Sequence, residues 1–250
     1  MTQGHLHLIQ RLSVGDEVFQ QLSTSILRGD WKVGQALPAE RDLAQTMGIS
    51  RQLVREAVRR LEQAGLVAIR HGVGSWVQDF RRTAGLDLLP HLLLDGNGSA
   101  DWRLVQSVME MRSALAPDAA RLCALRNPAV GDTLRALVAD MAKVDELAKV
   151  QDLVMRFFDA MILGSDNLAY RLAFNSLRAV YDPVRAQMAP ILEAELRDLR
   201  HMQQLADCIA MGDGPGASDT ARVLLEQGQL AVEAAIAWLQ LDHQGQEAGQ

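Results

Sequence analysis

Between Ser50 and Leu66 the chain reads SRQLVREAVRRLEQAGL, and its apolar residues Val54, Ala57, Val58 and Leu61 return every three or four positions. That period belongs to an α-helix, and it turns Arg51, Gln52, Arg55 and Arg59 away from the apolar stripe. A guanidinium fork matches a phosphate or the O6/N7 edge of guanine, and a Gln amide matches adenine. Just upstream, Pro38 to Met47 (PAERDLAQTM) predicts a short helix, with Pro where its missing N–H costs nothing and acids in the first turn. Gly48 is suited to end that helix in a left-handed conformation, and Ser50 to cap the next. Two short helices joined through a glycine make a helix-turn-helix, whose second helix enters the major groove by its N-terminal end.

An Arg-rich amphipathic helix is also what a plain solvated surface helix looks like. The residues just downstream separate the two readings. Leu66–Arg70, then His71-Gly72-Val73-Gly74, then Ser75–Val77 predict strand, tight turn and strand. Such a wing, with His71 and Gly72 at its tip, can lie along a minor groove or a phosphate backbone. Ahead of it all, Val18, Leu22 and Ile26 form one stripe of a helix over Val14–Arg28, ended by Gly29-Asp30.

Taken together, Asp30, Gly34, Leu37-Pro38-Ala39-Glu40-Arg41-Asp42-Leu43-Ala44, Gly48-Ile49-Ser50-Arg51, Arg55-Glu56-Ala57, Leu61 and Gly65-Leu66 resemble the GntR family of bacterial transcription regulators. The resemblance covers roughly residues 12 to 78. It implies that Arg41, Ser50, Arg51, Arg55, His71 and Gly72 contact DNA. Where the family often has Thr-Pro or Thr-Thr after the equivalent of Arg51, this chain has Gln52-Leu53. The operator is therefore expected to differ at the base pairs facing Gln52 and Leu53.

A net charge of −6 argues against a nucleic-acid partner only if it is spread evenly. It is not. Residues 1–82 carry 11 basic and 8 acidic side chains, and the remainder 14 and 23, so a mildly basic head precedes an acidic body. Cys123 and Cys208 lie in apolar helical patterns and predict buried, reduced thiols. With no apolar run near the ~18 residues of a membrane span and no signal-peptide pattern, a soluble cytoplasmic protein is expected.

From Asp101 onward no strand is predicted. Leu104, Val108, Met111, Leu115, Ala119 and Leu122 step by three and four along one long helix. Helices at about 129–148, 150–164, 167–188, 190–212 and 217–241 come next, broken by Asn127-Pro128, Gly164-Ser165, a kink near Pro190 and the stretch Gly212–Gly216. Such helices form a bundle, whose interior commonly holds a ligand pocket. Arg112 shares a face with Val108, Met109, Leu115 and Ala116, and a buried Arg must be paired. A ligand carboxylate would pair it bidentately; an acid from another helix would serve as well, or the side chain snorkels to solvent. Tyr170, Asn175 and Tyr181 lie on similar apolar stretches and are candidates to line the same cavity.

The residues Met111-Arg112, Leu115, Ala119-Ala120 and Leu122 are similar to the opening helix of the effector domain in the FadR branch of that family. Most of that branch holds a metal through an Asp and a His one turn apart and two further His. Here Val154–Phe158 stands in the first pair's place, His201 falls one residue off the third position, and 227–229 offers no His. A metal-free pocket is expected, and no cofactor. Gly164-Ser165-Asp166-Asn167, Tyr170, Asn175, Tyr181 and the run Val77–Leu89 are instead similar to the fatty-acid-responsive end of the branch. The implied effector is a long-chain acyl-CoA, with a small carboxylate as runner-up.

No catalytic residues are expected: there is no Gly-x-Ser-x-Gly, phosphate loop, Cys–His pairing or His-x3-His spacing, and neither Lys143 nor Lys149 suits a Schiff base. The expected fold is mainly α, an N-terminal winged helix-turn-helix with a two-stranded β wing and then a C-terminal all-α bundle. Its parts are a flexible tail over 1–12, the DNA-binding domain over 13–78 and a linker with short helices over 79–100. An effector-binding and dimerisation domain over 101–243 and a tail over 244–250 complete it. The expected partners are a palindromic duplex operator, a small-molecule effector and a second copy of the chain. An architectural DNA binder without effector is the alternative from another class.

Overall fold

The computed structural model describes residues 13–70, 72–93 and 101–248, with side chains as far as residue 239. The segment 1–12 and His71 lie outside the described residues. The chain divides after residue 99 into two compact units.

In the first unit, helix α1 (Val14–Arg28) opens with a reciprocal cap. Ser13 Oγ accepts from the Asp16 N–H, and the Asp16 carboxylate accepts from the Ser13 N–H. Its stripe Val18, Phe19, Leu22 and Ile26 is buried. Helix α2 (Glu40–Met47) begins two residues after Pro38 rather than at it, and Gly48, at φ 67°, turns the chain out of it. Helix α3 (Arg51–Gln63) buries Val54, Ala57, Val58 and Leu61 against that stripe. Strands β1 (Val67–Arg70) and β2 (Gly74–Val77) pair antiparallel with Val67 opposite Val77 and Arg70 opposite Gly74. The segment Gly34–Leu37 pairs along the free edge of β2: Leu37 N–H donates to Ser75 O at 2.8 Å and Val77 N–H to Gln35 O at 2.9 Å.

Residues 79–93 hold helix α4 (Phe80–Thr83), a 3₁₀ turn (Leu86–Leu88) and helix α5 (Leu89–Leu92). In sequence, such pieces are expected to pack on the second domain. Within the first unit, Leu88 joins the core of the head and His91 lies 5.0 Å from Phe19 between ring centroids, edge to face.

The second unit is helical throughout its described residues. Helix α6 (Trp102–Arg126), capped by Asp101, passes Pro117 without a break. Helices α7 (Val130–Met141), α8 (Leu147–Gly164) and α9 (Leu168–Tyr181) come after it. An unexpected break comes first, where Pro183 lacks the N–H to continue α9 and a 3₁₀ turn (Asp182–Val184) leads to α10 (Arg185–Ile191); the break expected near Pro190 follows, with α10 ending one residue after it. The single helix expected over 190–212 is divided into α11 (Glu193–Leu196) and α12 (Leu199–Ala210), because Asp198 caps the latter by accepting from the His201 N–H. Helix α13 (Gly214–Ala248) runs past the expected end at 241. The two longest helices, α6 and α13, lie side by side, and Cys123 and Cys208 are buried free thiols. Burial pushes the Cys123 thiol up to about 11, so it packs as an apolar group.

Candidate functional site

The α3 tip is built by its cap. Ser50 Oγ accepts from the Leu53 N–H at 3.3 Å, which fixes the first turn and throws the next side chains outward. Arg51 and Arg55, one turn apart, both reach back to a single carboxylate: their Nε atoms lie 3.4 and 3.5 Å from Glu40 Oε2 at the start of α2. Their side chains remain 63% and 49% exposed, so the pairing orients the two forks without burying them. Gln52 is exposed between them, and Arg41 is exposed beside Asp42. Leu53 is not brought to this tip. It is half-buried, with its Cδ2 turned toward Gly15 of α1.

On the wing, Gly72 sits at φ 75° with open space around it. Arg70 stacks over the Trp76 ring at 5.1 Å, a second cation presented beside the turn. Sequence reasoning missed Glu40 and Arg70. The signal for Arg70 was its place at the strand end before His71; nothing local marks Glu40, which acts across 11 and 15 residues.

In the second unit, α6, α8, α9 and α11 border a partly open cavity of about 100 Å³ lined almost wholly by apolar atoms. Arg112, Tyr170 and Tyr181 line it; Asn175 does not, since it lies exposed on the outer face of α9. Arg112 Nη2 donates to Glu195 Oε1, a carboxylate only 3% exposed, and the guanidinium lies 5.7 Å from the Phe158 ring centre. An acid from another helix thus satisfies Arg112, one of the partners left open by the sequence.

Burial drives the Glu195 carboxyl above the usual carboxylate range; Arg112 pulls it back down and Asp198 adds to the rise. Its other oxygen, Oε2, finds no donor. That oxygen lies where a Cβ on Gly228 of α13 would fall, 1.9 Å from it, so only glycine leaves room for the carboxylate. One residue earlier, Gln227 Nε2 donates to Asp198 Oδ2 at 2.6 Å.

Farther along the wall, Tyr170 donates to Asp118 at 2.9 Å. The Tyr181 oxygen accepts from the Gln151 amide, which leaves its own O–H to donate, and burial raises its pKa. Arg178 borders the cavity and is matched by Asp182 at 3.5 Å and Asp159 at 3.9 Å.

The donor set does not fit the metal that the resemblance raised. Val154, Met155 and Phe158 present apolar atoms to the cavity, His201 Nδ1 is taken by Asp198 at 2.5 Å, and the residue at 227 is an amide already bonded. Among the described residues no three His, Cys, Asp or Glu side chains converge. None of their helices is long and apolar enough to cross a membrane.

Comparison with known proteins adds to this geometry. Residues 14–77 match the family model described as bacterial regulatory proteins, gntR family, and residues 107–227 match the FCD domain. The chain is 38% identical to the HTH-type transcriptional regulator Mce2R of Mycobacterium tuberculosis, covering 92% of this chain and 96% of that one. It is 32% identical to the fatty acid metabolism regulator protein of Edwardsiella ictaluri, over 66% of this chain and 68% of that one. A solved structure of Lar, which controls expression of the Listeria monocytogenes agr system, has a similar fold, with a TM-score of 0.54 at 16% identity over 90% of this chain and 99% of that one.

Proposed function

Given that the chain belongs to the GntR family of bacterial regulatory proteins and is a DNA-binding transcriptional regulator with an FCD domain, not an enzyme, we propose that it binds a palindromic operator as a cytoplasmic homodimer and releases or grips it in response to a long-chain acyl-CoA. Two-fold symmetry would present two α3 tips one helical turn of DNA apart. Arg51 and Arg55 then exchange Glu40 for phosphates or guanine edges, Gln52 reads between them, Arg41 and Ser50 fix the register, and His71 and Gly72 track the backbone. Glu40 is worth little as an exposed ion pair, so surrendering it costs little.

The observation that carries the effector assignment is the cavity: a partly open space between helices with almost no polar lining suits the apolar chain of an acyl group. Relatives named as fatty acid metabolism regulators support the same reading. A ligand shifts an equilibrium only by its differential affinity for two states, and linkage makes operator and effector change each other's affinity by one factor. Selection from a randomised duplex pool supplies the operator. Calorimetry with an acyl-CoA, with and without that operator, then tests the coupling; equal affinities in the two titrations would refute it.

A further inference from the structure

Resting on the acyl-effector reading above, we infer that Glu195 is an internal carboxylate standing in the anion place of Arg112, so that the cavity takes an apolar chain ending in a neutral group, such as an ester or thioester, and turns away free carboxylates. Arg112 is the cation that a fatty or small organic acid would seek in this cavity. Its Nη2 already serves Glu195 Oε1, and Nη1 lies 3.6 Å from Met109 Sδ. A second carboxylate arriving there would put two negative charges on one guanidinium, in a space with almost no polar lining. Like charges so placed repel strongly, and an unpaired buried charge is costly. Glu195 cannot easily yield, because Oε2 is packed on Gly228 and the residue is 3% exposed.

The other cation at the wall offers no alternative. Arg178 is matched by Asp182 and Asp159, so a carboxylate there would also have to displace an acid. A neutral carbonyl meets neither obstacle. It needs one donor, and Tyr181, which lines the cavity, keeps its O–H to donate because its oxygen accepts from the Gln151 amide. The ion pair thereby sets the ligand class by charge: it rejects the anion and leaves an acceptor's place open.

The test uses the full chain and three ligands of one chain length: decanoate, 1-decanol and the decanoyl thioester of N-acetylcysteamine. Calorimetry at neutral pH should find both neutral ligands bound about ten-fold or more tighter than decanoate. In Glu195→Gln, which keeps the shape and removes the charge, decanoate should gain about ten-fold while the neutral ligands move less than about three-fold. Decanoate binding the native chain as tightly as the neutral pair overturns the inference and leaves the acyl-effector reading standing. If none of the three binds, the acyl-effector reading fails and takes the inference with it. The native-chain comparison decides by itself should Glu195→Gln fail to fold.

Discussion

Substituting Gly228 by Ala sets two opposed effects against each other. In a helix interior, Ala is favoured over Gly by about 1 kcal/mol. At this position the added methyl falls 1.9 Å from Glu195 Oε2, 3.0 Å from its Cδ and 3.1 Å from Leu192 Cδ2. The carboxylate must then retreat by roughly 1.5 Å to reach ordinary contact distance. A free surface Glu would swing aside at no cost, but Glu195 is enclosed and its other oxygen is bonded to Arg112. Overpacking costs about 1–3 kcal/mol, and loosening a buried ion pair adds to it. A net loss of about 2 kcal/mol is expected, which at urea slopes of about 2 kcal/mol/M lowers the midpoint by about 1 M. Shortening the acid should compensate: Glu195→Asp costs stability in the native background and recovers it in Gly228→Ala, a coupling that a double-mutant cycle reads directly. An unchanged or raised midpoint in Gly228→Ala would show that Glu195 is not held on Arg112, and the internal-carboxylate argument would fall with it.

Arg51→Ala should weaken operator binding by about 1–3 kcal/mol if the fork meets a base edge, while the unfolding midpoint hardly moves because its pair with Glu40 is exposed; gel-shift titration beside urea denaturation separates the two. Gly131→Ala should destabilise the second unit by about 3 kcal/mol, since the new Cβ would lie 2.5 Å from Ala210 Cβ and 2.6 Å from its backbone N, and a helix backbone cannot rotate away; an unchanged midpoint would contradict that close approach. Burial and the neighbouring Arg60 depress the His91 pKa below 6.5, with Asp87 opposing, so the fold favours the neutral ring. Its contribution is present above pH 6.5 and drains away as pH falls through the lower folded value, so thermal unfolding between pH 7.5 and 5 should lose stability in the native chain and lose less in His91→Gln.

The head was legible because its function is written in local pattern. A 3.6-residue stripe, a Ser cap, a left-handed Gly and a strand–turn–strand each occupy roughly a dozen residues or fewer, and they agree with one another. What escaped there acts at a distance, as in the edge pairing of Gly34–Leu37 with β2 and the hold of Glu40 on Arg51 and Arg55. In the second unit, Asn175 was misplaced by a matter of phase. Tyr170, Phe174, Leu177 and Tyr181 recur by three and four on the cavity face, and Asn175, one residue beyond Phe174, is turned by about 100° to solvent. Glu195 was within reach of the reasoning that singled out Arg112, since Leu192, Leu196 and Leu199 surround it in sequence. Their pairing across 83 residues was not. That difference matters for function: Arg112 alone invites a carboxylate, whereas Arg112 with Glu195 refuses one. The DNA-reading class can therefore be argued from a sequence pattern, but the charge of the effector depends on a contact that only the folded chain brings about.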